Sequence, residues 1–389
     1  MKVVRKTSGR FTIGVFLDLN GVPGHRLFSG VSRWAREQRG VVIRRWDSER
    51  WREPDFDLLI DGAIMQCSQP EDSQLAARRG LPLINVSNVL AKSACPRVAS
   101  DDQALGRAVA GYFLRRGYRN FAYCGFAWHH ASALRGAGFR EEIERAGFLL
   151  AEFTFGLSAN QQLTFNSEQE SERHRQWLKT LPRPCAVMGF SDEVALLVIQ
   201  NGSEIGCRVP DDFAVMGVDN DFFRTHGCMV ALASADVGFE RIGYEAAVAL
   251  DAWLRHGRRP VRERCLCAFK LQARESSDRY AVEDEKVLEA LDFIAGNYAL
   301  GIDVDSVAAA SGLSRRGLER RFRLCLNRSV LKVINERRLD KARQLLAESE
   351  LAIKTVAQQA GFSDARHLCV AFQTHLKTSP SAFRKSRLI

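Results

Sequence analysis

The last stretch of the chain carries one short pattern twice, and that repetition restricts the fold more than anything else in the sequence. The first copy is VDSVAAASGLSRRGLERRF, from Val304 to Phe322. The second is IKTVAQQAGFSDARHLCVAF, from Ile353 to Phe372. Val307-Ala308-Gly312-Leu313-Ser314 matches Val356-Ala357-Gly361-Phe362-Ser363 at an offset of 49, and Leu318 and Phe322 match Leu368 and Phe372 at 50. The second copy therefore holds one extra turn residue. Two helices joined by a tight Gly-containing turn fit each copy. Gly312 and Gly361 stand where the turn asks for φ > 0. Ser314 and Ser363 are placed to cap the second helix through a backbone N–H. Leu318/Phe322 and Leu368/Phe372 are i,i+4 pairs, so each faces a small core.

The opposite helical face is then free to enter a DNA major groove, where residues near the helix N-terminus reach base edges. The first copy offers Arg315, Arg316, Glu319, Arg320 and Arg323 there; the second offers Ala365, Arg366, His367 and Val370. Arginine can bond guanine bidentately. Gly317 lies inside the first of these helices, at an expected cost of about 1 kcal/mol relative to Ala. Charge supports the reading. From Ser314 onward there are 17 Lys/Arg against 6 Asp/Glu, a net +11, whereas the whole chain is +10. Everything before Ser314 thus sums to −1, and the basic charge is confined to the region of the repeat, as a phosphate-binding surface requires.

Residues 285–389 resemble the DNA-binding domain of the AraC/XylS family of bacterial transcription regulators. The second copy and its tail, GFSDARHLCVAFQTHLKTSPSAFRKS, carry the likeness through Ser379-Pro380, Phe383 and Arg384. The resemblance implies a long helix around Ser329–Ala347 between the two units. It also implies two successive major grooves of double-stranded DNA as the target, roughly 34 Å apart. Arg316, Arg320 and Arg366 fall on positions that commonly read bases in the family. Thr378 stands where the family usually has Gly, and Val370 where it is often polar.

A chain of 389 residues allows two or three domains. No apolar run is long enough for a membrane-spanning helix. The basic start, MKVVRKTSGR, leads into FTIGVFL, which reads as a first strand and not a signal peptide. The ten cysteines are scattered, and only Cys265 and Cys267 are close. Buried free thiols in a reducing cytoplasm are expected, with no metal.

Before residue 271, apolar runs alternate with amphipathic stretches. Expected strands are Thr12–Leu17, Val41–Trp46, Leu58–Ile64, Pro82–Val86, Asn120–Tyr123, Ala186–Gly189 and Phe213–Val218. Expected helices include Arg26–Gln38, Leu105–Arg116, Ala133–Ala146, Asp192–Asn201 and Glu240–His256. Alternation of this kind implies parallel sheets with helices on both faces. The polar stretch 271–284 reads as a linker.

Residues 11–270 resemble the sugar-binding core of LacI-type regulators, whose fold is that of the periplasmic sugar-binding proteins. The likeness rests on Asp101 with Leu105-Gly106, Arg135 with Gly138-Phe139, Ser191-Asp192, VPDDFAVMGVDN from Val209 to Asn220, and Ile242-Gly243-Tyr244 with Ala246-Ala247. It implies a ligand held between two lobes, and open α/β sheets do bind ligands beyond the carboxyl ends of their strands. Asp18, Asp101, Arg135, Asp192, Asp219 and Asn220 are the expected ligand-binding residues. Carboxylates and a guanidinium suit the hydroxyls of a sugar. Trp128, Phe16 and Phe222 are candidates for the apolar face of its ring. Each polar residue also has a plainer reading: Asp18, Asp101 or Asp192 as a helix cap, Arg135 as a surface charge. Val237 stands where the family has a polar residue, with Asp236 as a neighbouring substitute.

The expected whole is a two-lobed, periplasmic-binding-protein-like α/β sensor domain followed by an all-α domain with two helix-turn-helix units. A LacI-like core preceding an AraC-type domain is the order found in the xylose-operon activators. That resemblance implies an aldose effector (an aldopentose, xylose above all), a homodimer on DNA, and RNA polymerase as a further partner. A core retained only for dimerisation is the alternative. No nucleophile elbow, P-loop or strand-linked G-x-G-x-x-G appears, so no enzyme and no cofactor are expected. His129-His130 is the only His doublet and reads as loop surface.

Overall fold

The computed structural model describes residues 11–19, 21–46, 48–53, 60–156, 167–227 and 229–388. Residues 1–10, Cys228 and the first two residues of the expected strand Leu58–Ile64 lie outside that set. The chain runs β1 (Phe11–Phe16), α1 (Val22–Glu37), β2 (Val41–Trp46), β3 (Gly62–Met65), α2 (Pro70–Arg79), β4 (Leu83–Asn85), β5 (Arg97–Ser100) and α3 (Asp102–Arg115). Next come β6 (Asn120–Phe126), α4 (His130–Arg145), β7 (Leu150–Phe155), α5 (Glu168–Thr180), β8 (Cys185–Gly189), α6 (Asp192–Glu204) and β9 (Phe213–Val218). The short α7 (Phe222–His226), β10 (Ala233–Asp236), α8 (Phe239–His256), β11 (Glu263–Leu266) and β12 (Lys270–Gln272) complete this part.

These strands form two sheets. One is ordered β11-β5-β4-β3-β1-β2, the other β12-β10-β9-β8-β6-β7. Every pairing is parallel except β12 on β10. Each sheet is doubly wound, and its order reverses about one strand: β1 in the first lobe, β6 in the second. Such switch points open a crevice beyond the strand ends. The chain passes between the sheets after β5, after β10 and after β11.

The glycines of the LacI-like motifs mark close helix crossings. A Cβ on Gly106 of α3 would lie 2.1 Å from the Arg135 carbonyl oxygen of α4, and one on Gly138 of α4 would lie 2.0 Å from that of Gln103. Gly30 of α1 and Gly243 of α8 face each other's helix in the same way. Only a residue without Cβ lets two backbones approach so closely.

The core of the second lobe contains one polar knot. His174 is fully buried among Phe153, Phe155 and Trp177, with Asn201 Nδ2 2.9 Å from its Nδ1 and Cys124 Sγ 3.7 Å from its Nε2. Burial, and next the charge of Arg173, lower its pKa from 6.5 to about 4. As pH falls below 6.5 the unfolded chain therefore takes up a proton that the folded one refuses. The contribution of His174 to stability should be constant above that pH and decline towards pH 4, by up to about 3 kcal/mol. Urea denaturation at a series of pH values checks this. The acid limb should be shallower for His174→Gln, and an identical limb would refute the assignment.

The described chain divides into two compact units between Arg279 and Tyr280. The break falls late in the stretch expected as a linker. Residues 270–277 belong to the first unit because β12 pairs with β10, and Ser276 Oγ donates to the Val215 carbonyl at 2.7 Å while accepting from Ala233 N–H. Polar side chains gave this stretch its linker-like composition, yet several of them are spent on buried backbone groups.

The second unit holds α9 (Glu285–Asn297), α10 (Val304–Ala310), α11 (Arg315–Leu326), α12 (Val330–Glu348), α13 (Ile353–Gln359), α14 (Ala365–Leu376) and α15 (Pro380–Leu388). Leu318 and Phe322 pack with Val304, Val307 and Ala308 in one core, and Leu368 and Phe372 with Val356 and Ala357 in another. The long α12 serves both, giving Val330, Val333 and Ile334 to the first and Leu339, Ala342 and Leu346 to the second. Gly312 and Gly361 both adopt φ > 0, at 67° and 83°. They differ in their surroundings. A Cβ on Gly312 meets nothing, whereas one on Gly361 would sit 2.3 Å from the Tyr298 carbonyl oxygen. Gly312→Ala should therefore cost only the left-handed backbone penalty of about 1–2 kcal/mol, and Gly361→Ala clearly more. Equal losses in thermal unfolding would contradict this.

Candidate functional site

In the first lobe, Asp18 follows β1, Gln66 follows β3 and Asp101 follows β5. In the second, Trp128-His129 follow β6, Phe190 follows β8 and Asp219-Asn220 follow β9. The lobes meet at these ends. His130 N–H donates to the Val89 carbonyl at 3.0 Å and Ala131 N–H to that of Asn88 at 2.9 Å, tying the start of α4 to the loop after β4. Arg26 of α1 donates from Nη2 to Asp236 Oδ2 at 2.8 Å and from Nη1 to the Asp219 carbonyl at 3.4 Å.

Arg135 is the centre of the second lobe's site. It is buried; its Nε donates to Asp102 Oδ1 at 2.8 Å and its Nη1 to the Phe190 carbonyl at 2.6 Å. Asp219 Oδ1 lies 4.0 Å from Nη1. Burial alone would lower the Arg135 pKa, but Asp102 and then Asp219 reverse the effect and raise it. Asp219 adopts φ 106° and Asn220 φ 52°, so the backbone turns sharply at the strand end. Asn220 Oδ1 accepts from Arg274 Nη2 at 2.7 Å. Burial raises the Asp219 pKa to about 7, with Arg135 opposing. Asp192 is also buried and raised, to about 8, by burial and next by Asp219. One of its oxygens accepts from Ser234 Oγ at 2.5 Å and the other from Asp221 N–H at 2.7 Å.

The structure thus brings Arg135 and Asp219 together, pairs Asn220 with Arg274 instead, and gives other work to some expected residues. Asp101 Oδ1 caps α3 by accepting from Ala104 N–H at 2.9 Å; its neighbour Asp102 is the Arg135 partner. Asp192 braces the loop after β9, and the cap of its helix is Ser191. Asp18 is exposed, and its N–H donates to Gln66 Oε1 at 2.9 Å. Phe16 is core, packed on Trp46 and Trp51, while Phe222 is 67% exposed. Trp128 is half-buried and joins Phe126 and His129. His129 is not loop surface: its Nδ1 is buried. Among the nine described cysteines, all free, five are buried, but Cys265 and Cys267 are exposed. Sequence reasoning missed Arg26, Asn88, Asp102 and Arg274. Asp102 could be suspected from its doublet with Asp101; nothing local marked the others.

In the second unit, α11 opens at Ser314, whose Oγ accepts from Gly317 N–H at 3.1 Å. Gly317 therefore lies in the capped first turn, not the helix interior. Arg316, Arg320 and Arg323 are exposed on one side of α11, while Arg315 pairs with Asp305 at 2.9 Å. The extra turn residue moves the second cap by one. Asp364, not Ser363, caps α14 by accepting from His367 N–H at 2.8 Å. Ser363 Oγ instead lies 2.7 Å from His367 Nδ1. Arg366 and Val370 are exposed and Ala365 half-buried.

Fold and site define a class: this is a DNA-binding transcription regulator in which a periplasmic-binding-protein-like domain precedes an AraC-type helix-turn-helix domain. Residues 110–277 match the periplasmic binding protein-like domain family, and residues 307–386 a helix-turn-helix domain family. The chain is 27% identical to the xylose operon regulatory protein of Escherichia coli K12, over 96% of this chain and 97% of that one. It is 23% identical to the Haemophilus influenzae protein of the same name, over 97% and 99%. Among solved structures, the xylose-binding transcription activator xylR matches with a TM-score of 0.62 at 24% identity, over 97% of this chain and 98% of that one. An Enterococcus faecium LacI family regulator with bound ribose matches with a TM-score of 0.55 at 17% identity, over 68% and 98%. No described helix is long and apolar enough to cross a membrane.

Proposed function

We propose that the cleft binds a small polyhydroxylated effector, an aldopentose with xylose foremost, and that binding switches the activity of the helix-turn-helix domain at a sugar-utilisation operon. The observation that carries this reading is Arg135, buried and held by Asp102 beside Asp219 at the mouth of the second sheet. A guanidinium with an adjacent carboxylate offers donors and acceptors to vicinal hydroxyls. The names of the full-length relatives support xylose. The protein acts as a cytoplasmic activator and not as an enzyme. It works as a homodimer, each protomer placing α11 and α14 in successive major grooves, with RNA polymerase as the downstream partner. Arg316, Arg320 and Arg323 make α11 the stronger base reader, with Arg315 beside them; Arg366, Ala365 and His367 give α14 fewer contacts.

Thermal unfolding with a panel of pentoses and hexoses tests the effector. A true ligand at about 100 times its Kd adds roughly 2.7 kcal/mol of stability. The same sugar must change DNA affinity, and DNA must change sugar affinity by an equal factor. A panel without any shift would leave the domain a dimerisation module.

A further inference from the structure

The loop between α8 and β11, residues 257–262, carries charge that its neighbours do not neutralise. The carboxylates of α8 and β11 are taken by other arginines. Glu240 pairs with Arg33 at 3.1 Å, Glu245 with Arg241 and Arg264 at 2.7 and 2.9 Å, Asp251 with Arg255 at 2.6 Å, and Glu263 with Arg97 at 3.3 Å. Arg258, Arg259 and Arg262 are exposed and have no carboxylate partner among the described residues. Two of these three, Arg259 and Arg262, line one cavity of about 360 Å³ with Ser93, Cys95, Pro96 and Pro260. That volume falls in the range of small-molecule sites.

The cavity lies at the opposite end of the first sheet from the cleft. Its walls are the segments leading into β5 and β11, which pair in parallel with Arg97 opposite Glu263. The cleft is beyond the carboxyl ends of the strands, and this cavity is before their amino ends. Backbone bonds fix both walls. Asn85 N–H donates to the Pro96 carbonyl at 2.8 Å, and Arg97 N–H to the Arg262 carbonyl at 2.9 Å. Ala94 N–H donates to Ser73 Oγ at 3.1 Å, and the Cys95 thiol to the Ser73 carbonyl at 3.2 Å. Pro96 and Pro260 stiffen the two segments further, because their rings lock φ. The Arg259 guanidinium lies over the Trp253 ring at 5.6 Å. Its charge is felt in the wall: burial raises the Cys95 thiol to about 11, and Arg259 opposes the rise. Two cations without a carboxylate give a sugar hydroxyl no charged acceptor, unlike the Arg135–Asp219 pair. They suit a small dianion, and guanidinium is the side-chain group that meets phosphate bidentately.

We infer that this cavity is an anion site, separate from the sugar cleft, in which Arg259 and Arg262 hold a phosphate group, either free or carried by a small metabolite. Isothermal titration of the full chain in phosphate-free buffer tests it, with glycerol 3-phosphate, inorganic phosphate and glycerol as probes. Wild type should bind the two anions and not glycerol. Tighter binding of glycerol 3-phosphate would make the ligand an organic phosphate; equal or tighter binding of inorganic phosphate would make it the free ion. Either result supports the site. An Arg259→Gln/Arg262→Gln double variant should bind at least about tenfold more weakly. Its melting temperature should stay within about 4 °C of wild type. Arg258→Gln alters the same loop outside the cavity lining and should bind as wild type does. Wild-type affinity in the double variant would overturn the inference by placing the anion elsewhere, the basic helix-turn-helix domain included. An equal loss in Arg258→Gln would also overturn it, by making the loop a diffuse basic surface such as DNA phosphates meet. So would weaker binding joined to a larger loss of melting temperature, or a wild type that binds neither anion at millimolar concentration.

Discussion

An Arg135→Ala protein is expected to lose sugar binding and about 3–5 kcal/mol of stability together. The two losses share one cause. Asp102 is fully buried at its side chain and has Arg135 as its cationic partner, at 2.8 Å; Asp219 leans on the same guanidinium. Removing the cation leaves two carboxylates near each other in a site closed by Phe190, Trp128 and His129. One must then take up a proton or the loop must rearrange. Arg135→Lys keeps the charge but not the fork that reaches both Asp102 and the Phe190 carbonyl, so it should recover part of the stability and little of the binding. Urea denaturation and titration calorimetry read the two effects. A loss of under about 1 kcal/mol would mean that the Arg135–Asp102 pair contributes no more than an exposed ion pair does.

The second large effect comes from a single methyl group. Gly243→Ala would place a Cβ 2.1 Å from the Leu27 carbonyl oxygen, and that atom is backbone, which cannot swing aside. The helices α1 and α8 would have to separate, and they cover the same face of the first sheet. A cost of about 3 kcal/mol is expected. Gly202→Ala in α6 is the control, since its nearest neighbour would be Phe213 at 3.4 Å. There the gain in helix propensity, up to about 1 kcal/mol, offsets the tighter contact. Similar melting temperatures for the two variants would show that the α1–α8 crossing is not set by Gly243.

Much of the architecture was legible, for local reasons. β2 and β9 span the residues that the apolar runs mark, Val41–Trp46 and Phe213–Val218. The strands that escaped notice lack such a run. Ala233–Asp236 is short and built of small and polar residues although its first three are buried; Leu150–Phe155 and Glu263–Leu266 lie at sheet edges and expose charged residues. Pro70–Arg79 is a helix whose apolar stripe is thin, and its capping box through Gln69 and Asp72 is not of the usual Ser/Thr type.

The site was less legible. Arg135, Asp219 and Asn220 sat in motifs whose resemblance led to them. The resemblance pointed to Asp101 alone; a helix start does not reveal which of two adjacent carboxylates turns inwards, and it is Asp102 that meets Arg135. Asp192 was expected to face a ligand, yet both its oxygens are taken by Ser234 and Asp221. Arg26 could not be foreseen at all, since its partner Asp236 lies 210 residues away.

The sequence alone determined the parts that depend on short-range order. The tandem helix pairs, the alternation of strand and helix, and the confinement of basic charge to the region from Ser314 onward all follow from spacing and composition within a few turns of chain. The tertiary structure alone decided which side chains meet at the cleft. That cleft is made from the ends of parallel strands, which adjoin in space only after long crossovers, and its residues carry no periodic mark. Arg135 between Asp102 and Asp219 and Arg26 on Asp236 are both products of that convergence.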